Sequence, residues 1–252
     1  MSGKTGRSSA FCEGRICVLL NQDSVIAAFT GQRLVDSGHR ECYGFPMREK
    51  NETIKKWLNI NVILIAVNIL VWLVMCAKGD TRSAQFMYEH GAMYPPDVLD
   101  GDWYRLISAI FLHFGAEHLI SNMFMQYFLG DMLLRALSQW KFALIYVLAG
   151  IGGNVTSLVM MLLTGEFAVA AGASGAIYGI IGALLWVVLR NGGRFESISV
   201  PRMLLATAVY IGYGFTTEGV DAWAHLGGAL VGFLAAIILY RRKVSVVIEQ
   251  WD

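Results

Sequence analysis

From Trp57 onward the apolar residues gather into six blocks separated by short polar breaks, at roughly 57–77, 106–137, 141–163, 168–190, 201–217 and 222–240. Each is near the ~20 helical residues that cross a ~30 Å hydrocarbon core. The pattern predicts an all-α membrane protein, a bundle of six transmembrane helices. Residues 1–50 lack such blocks: Gly, Ser, Arg and Gln are scattered there, with one short apolar patch from Ile16 to Leu20. They are expected to form a poorly ordered N-terminal leader. The membrane domain then spans 51–243 and a short tail 244–252. Met47, just before Arg48-Glu49-Lys50, offers an alternative start that would make the leader an upstream artefact.

Composition sharpens this picture. Of 252 residues, 56% are hydrophobic and 15% charged, and the net charge is +1. Mean hydropathy is +0.51. These values exclude a disordered or nucleic-acid-binding chain, since nothing supplies a field for polyanions. The solvent for most of the chain is the lipid bilayer. No long apolar run with a cleavage site opens the chain, so nothing reads as a removable signal. Four cysteines, Cys12, Cys17, Cys42 and Cys76, are too few for a disulfide scaffold. Cys12, Cys17, His39 and Cys42 miss the usual spacings of a zinc site. No cofactor motif is present.

Basic residues mark every second boundary between blocks. Lys50, Lys55 and Lys56 precede the first, Arg135 and Lys141 flank the second-to-third turn, Arg190, Arg194 and Arg202 the fourth-to-fifth, and Arg241, Arg242 and Lys243 follow the sixth. Arg and Lys accumulate in cytoplasmic loops, so both termini are expected in the cytoplasm. The opposite turns agree, with Glu166 in one and Glu218 and Asp221 in the other. The first external loop, 78–105, carries Tyr94-Pro95-Pro96, Trp103 and Tyr104 and reads as a segment lying in the headgroup layer.

With this parity helices two, four and six all enter from outside, and their first turns lie at comparable depth. Polar groups inside a bilayer are costly and are functional candidates by default. Helix two carries His113, Glu117, His118 and Asn122, helix four Ser174, and helix six His225. His118 and Asn122 are one turn apart on one face and offer N–H donors suited to an oxyanion. The alternative for the pair taken alone is interhelical glue. A lone Ser174 is most often bonded to its own i−4 carbonyl. Gly175, Gly179 and Gly182 on helix four, and Gly228 and Gly232 on helix six, would permit close backbone approach. If those faces meet, Ser174 and His225 become nucleophile and general base.

Gly172-Ala173-Ser174-Gly175, His118-x-x-x-Asn122, Trp103-Tyr104-Arg105 and Ala224-His225-Leu226-Gly227-Gly228 with Gly232 occur in that arrangement on those helices. Over residues 55–240 the chain resembles the rhomboid intramembrane serine proteases. The resemblance implies a six-helix rhomboid-like bundle in which Ser174 and His225 form a catalytic dyad without a third acidic member. It implies that His118, Asn122 and the Ser174 backbone N–H hold the oxyanion, and that the partners are transmembrane protein substrates. It further implies that Gly172 supports the site, that Tyr178 packs on the histidine, that Arg105 organises the first loop, and that His113 orders a loop. The expected location is a bacterial-type cell membrane, in multiple passes. One departure is Asp131 with Arg135, where the family often has a Glu-x-Arg context; this pair can substitute on the helix surface.

Other classes fit less well. A metal-dependent intramembrane protease needs His-Glu-x-x-His, whereas Glu117-His118 runs in reverse. An aspartyl type needs two buried aspartates, and Asp131 lies at the basic edge. A rhomboid-like pseudoprotease loses the serine or the histidine, and this chain keeps both. A proton-relay transporter lacks a chain of embedded carboxylates and a detectable inverted repeat.

Overall fold

The computed structural model describes residues 8–10, 17–21, 24–28, 34–36, 59–195, 198–199, 201 and 219–241. The chain divides into two units, 1–51 with 243–252, and 52–242. In the first, β1 (Ser8–Ala10) pairs antiparallel with β4 (Leu34–Asp36), and β2 (Cys17–Asn21) pairs with β3 (Ser24–Ala28). These strands lie in the stretch expected to be a poorly ordered leader. Cys12, His39, Cys42 and the tail 244–252 lie outside the described residues, as does the expected fifth span apart from Pro201.

The second unit is an all-α membrane bundle. Its elements are α1 (Ile60–Lys78), α2 (Ala84–Glu89), α3 (Pro95–Leu99), α4 (Arg105–Ser108) with a 3₁₀ turn at Ala109–Phe111, α5 (Gly115–Ala136), α6 (Gln139–Thr164), α7 (Ser174–Arg190) and α8 (Ala222–Leu239). A two-residue ladder, β5 (Arg194–Phe195) with β6 (Ile198–Ser199), follows α7. Among the described residues α1, α6 and α8 are long and apolar enough to cross a membrane, and α7 is apolar over 17 residues.

Helix α1 is polar side in. Asn59 caps it by accepting the Val62 N–H at 3.0 Å, and its buried residues are Asn61 and Asn68. Leu70 is 62% exposed, and Ile63, Leu73 and Val74 are likewise open. Apolar side chains gain nothing by leaving lipid, so the amides are what must turn inward. Asn61 Nδ2 donates to the Gln126 carbonyl at 3.2 Å, and Asn68 Nδ2 to the Tyr146 hydroxyl at 3.2 Å.

Two helices start later than hydropathy suggested. The second span opens at Gly115, not at 106, because Gly115 has φ +72° and residues 105–111 form α4 and a 3₁₀ turn. The fourth opens at Ser174, not at 168. There Gly172 has φ +138°, its N–H donates to the Ala109 carbonyl at 2.8 Å, and Ala170 pairs with Met93 through two 2.9 Å backbone bonds. Backbone engaged with another segment cannot enter a helix, however apolar its side chains.

Helices α6, α7 and α8 meet on glycines. A Cβ on Gly228 would strike the Gly175 carbonyl, and one on Gly232 the backbone of Gly179. A Cβ on Gly182 would meet the Ala229 carbonyl, and one on Gly153 would lie 2.7 Å from the Ala224 carbonyl oxygen. The glycine faces of α7 and α8 therefore do oppose each other, with α6 adding a third. At the other end Lys141 Nζ donates to the Leu239 carbonyl at 2.6 Å, and Asn191 Nδ2 to the Tyr240 hydroxyl at 2.7 Å. Replacing Gly228 with Val should force α8 off α7 and destabilise the fold by about 1–3 kcal/mol. Thermal unfolding of the purified protein in detergent checks this, and an unchanged Tm would mean that the two backbones are not in contact.

Candidate active site

The local backbone sets up each polar group. His118 and Asn122 share one face of α5, where Asn122 is buried and its Nδ2 donates to the His118 carbonyl at 3.0 Å. One of the two carboxamide hydrogens is thus used inside the helix and the other remains. Ser174 is the first residue of α7, so its own N–H has no partner within the helix. Gly172 leaves room for the His118 ring: a Cβ there would lie 2.7 Å from His118 Cε1, 2.9 Å from Nε2 and 3.8 Å from Ser174 Oγ. A side chain at position 172 would fill the space between the imidazole and the hydroxyl.

His225 sits in the first turns of α8, 6% exposed, with the Tyr178 ring stacked on it at 4.1 Å between centroids and 12° between planes. Its Nδ1 is buried without a hydrogen-bond partner among the described residues. Ser174 and His225 make no hydrogen bond with each other among the described residues. Their neighbours nonetheless approach closely, since a Cβ on Gly175 would come into van der Waals contact with the Ala224 carbonyl oxygen, at 3.5 Å. His118, Asn122, Ser174, Tyr178 and His225 all line one cavity of about 1430 Å³. Glu117, Glu166, Ser157 and Asp221 line it as well.

His113 stands outside this group. Its Nε2 accepts the Ala173 N–H at 3.4 Å, and its ring meets that of His118 edge-on at 5.3 Å. It holds the residue before Ser174. Arg105 is farther away and organises the first loop. Its Nε donates to Asp102 at 2.9 Å, and Nη1 donates to the carbonyls of Tyr88 and Ala92 at 2.8 and 2.9 Å. Nη2 pairs with Asp97 at 2.9 Å. The Tyr88 phenol, hydrogen-bonded to Asp97, is held above its ordinary ionisation range. Burial opposes the Arg105 charge, but Asp102, Tyr104 and Asp97 more than offset it. The loop is therefore a packed unit rather than only a headgroup segment, although Trp103 and Tyr104 are exposed. On the opposite side Arg135 pairs with Asp131 at 2.8 Å.

The sequence reading used Asp221 only as an external charge and did not single out Ser157. Asp221 accepts the Ala224 N–H at 2.9 Å as the N-cap of α8, and its other carboxylate oxygen accepts the Ser157 hydroxyl. The cap was legible, as an Asp placed just before an apolar helical run. Its partner, 64 residues away, left no local signal.

Removing the Arg105 guanidinium should leave two carbonyls and two carboxylates without their donor. Arg105→Ala is expected to cost about 1–3 kcal/mol and to speed amide exchange across residues 84–108 while α6 to α8 stay protected. Hydrogen–deuterium exchange by mass spectrometry reads this, and unchanged exchange in 84–108 would contradict it.

Residues 100–242 match the rhomboid domain. The chain is 30% identical over 203 residues to the putative rhomboid protease YdcA of Bacillus subtilis, covering 79% of this chain and 98% of that protein. It is 33% identical to the rhomboid protease GluP of the same bacterium over 70% of this chain and 34% of GluP. It is 32% identical to RHOMBOID-like protein 4 of Arabidopsis thaliana over 60% of this chain and 38% of that protein. The chain thus spans about a third of the length of the latter two.

Proposed function

The chain belongs to the rhomboid family of membrane proteins, and from that premise we propose that it is an intramembrane serine endopeptidase that cleaves transmembrane segments of other proteins with a Ser174–His225 dyad. The observation that carries this reading is the convergence of Ser174, His225, His118 and Asn122, from three helices, on one cavity.

Ser174 Oγ attacks the scissile carbonyl as His225 takes its proton. With Nδ1 buried, Nε2 is the ring nitrogen left to serve. Such hydrogen bonds are often long before substrate binds and tighten in the complex. The carbonyl oxygen, now negative, is held by a His118 ring N–H, the second Asn122 hydrogen and the Ser174 backbone N–H, the last favoured by the positive end of α7. The C–N bond then breaks, the amine leaves with the proton from His225, and a water molecule activated by the same imidazole hydrolyses the acyl ester. His113, through Ala173, and Gly172 hold the serine and His118 in register. Tyr178 stacks on the imidazole and limits its rotation.

A transmembrane helix has its carbonyls hydrogen-bonded within itself, so the substrate must unwind locally before attack. Segments with Gly, Ser or Pro do so at least cost. The alternation of basic boundaries supports a reading with both termini in the cytoplasm and the cavity toward the outer leaflet, and the membrane proposed is a bacterial-type cell membrane.

Ser174→Ala is expected to abolish cleavage of a transmembrane reporter substrate in proteoliposomes without changing Tm, and His225→Ala to reduce kcat by about 10²–10⁴-fold. A fluorophosphonate should modify Ser174 in the native protein and fail to do so in His225→Ala. Retained cleavage by Ser174→Ala would overturn the assignment.

A further inference from the structure

His225 is the fourth residue of α8, so the position of its ring is decided by where that helix begins and what its first turn is bolted to. Both are set by Asp221. One carboxylate oxygen of Asp221 accepts the Ala224 N–H at 2.9 Å, its carbonyl accepts the His225 N–H at 3.2 Å, and its second carboxylate oxygen accepts the hydroxyl of Ser157. Ser157 is fully buried on α6. One turn before it, Asn154 Nδ2 donates to the Leu106 carbonyl at 2.9 Å, which ties the same stretch of α6 to α4. The backbone beside the histidine is also against α6, at Gly153.

We propose that Asp221 is a positioning residue for the general base: by clamping the first turn of α8 to Ser157 of α6, it fixes the height and rotation of His225 opposite Ser174. The proposal rests on the reading of His225 as the base. Asp221 does not act as a triad acid, because its oxygens are taken by a backbone N–H and by Ser157 and not by the imidazole. Its negative charge at the helix start also opposes fraying there. Glycine contacts alone leave α8 free to slide along smooth backbone, since they are non-directional. A charge-assisted hydrogen bond between two helices has one register only.

The test uses the full chain in proteoliposomes, with a cleavable transmembrane reporter and a fluorophosphonate as an independent probe of Ser174. Ser157→Ala removes the clamp but keeps the helix cap; Asp221→Ala removes both. A misplaced base lowers turnover without weakening substrate binding, so kcat should fall about tenfold in Ser157→Ala and about a hundredfold in Asp221→Ala, with KM within about twofold. The rate of fluorophosphonate modification should fall by the same factors. The double variant should be no slower than Asp221→Ala, because the two residues act through one contact. Wild-type kcat and labelling in Ser157→Ala, a change confined to KM, or a double variant equal to the product of the singles would each overturn the proposal. If Asp221→Ala does not fold, Ser157→Ala decides alone. Failure of the underlying dyad reads differently: the unmodified protein would not label at Ser174, and Ser174→Ala would still cleave.

Discussion

Three helices of this protein touch backbone to backbone. Where Gly175 faces Gly228, and Gly179 faces Gly232, a carbonyl of one helix rests on an α carbon of the other. In lipid no hydrophobic force drives helices together, and close packing with directional polar contacts must do so. That contact brings residue 174 and residue 225 to facing positions near the starts of their helices. Around it the core sets small residues such as Ala173, Ala176 and Ala236 beside bulky ones such as Phe142, Tyr146 and Leu184.

The same solvent inverts the role of polar side chains. Asn61, Asn68, Gln126 and Tyr146 join α1 to α5 and α6 in the interior, while leucines and isoleucines of α1 face out. Lys141 and Asn191 do similar work at the far ends of α8 and α7. Each polar group fixes a register that apolar packing would leave open. His118, Ser174 and His225 differ in lining an open cavity.

The sequence was most informative where a feature is periodic or local. One turn separates His118 from Asn122, so their shared face was legible, as were the glycine faces of α7 and α8 and the Asp131–Arg135 pair. The starts of α5 and α7 were not, because hydropathy is blind to φ, whereas the start of α8 at Ala222 was read as it stands. Residues 106–114 and 168–173 are apolar enough to extend a span, yet Gly115 and Gly172 turn the chain and backbone bonds claim it. The first loop hid its order because α2, α3 and α4 are too short to show a period, and Arg105 holds them through carbonyls that any residue carries. Ser157 with Asp221 needed the fold itself.

The stretch leading into α7 is stitched to the first loop by the Met93–Ala170 pairing and the Gly172–Ala109 bond, with His113 beneath Ala173. During biogenesis, then, residues 93–113 emerge first and must be packed before the serine has a seat. A chain interrupted between its second and fourth crossings therefore holds the seat, residues 93–113, and not yet the serine, the first residue of α7. The order of synthesis thus lays down the lodging before its occupant, and residue 174 takes its place against backbone that is already there.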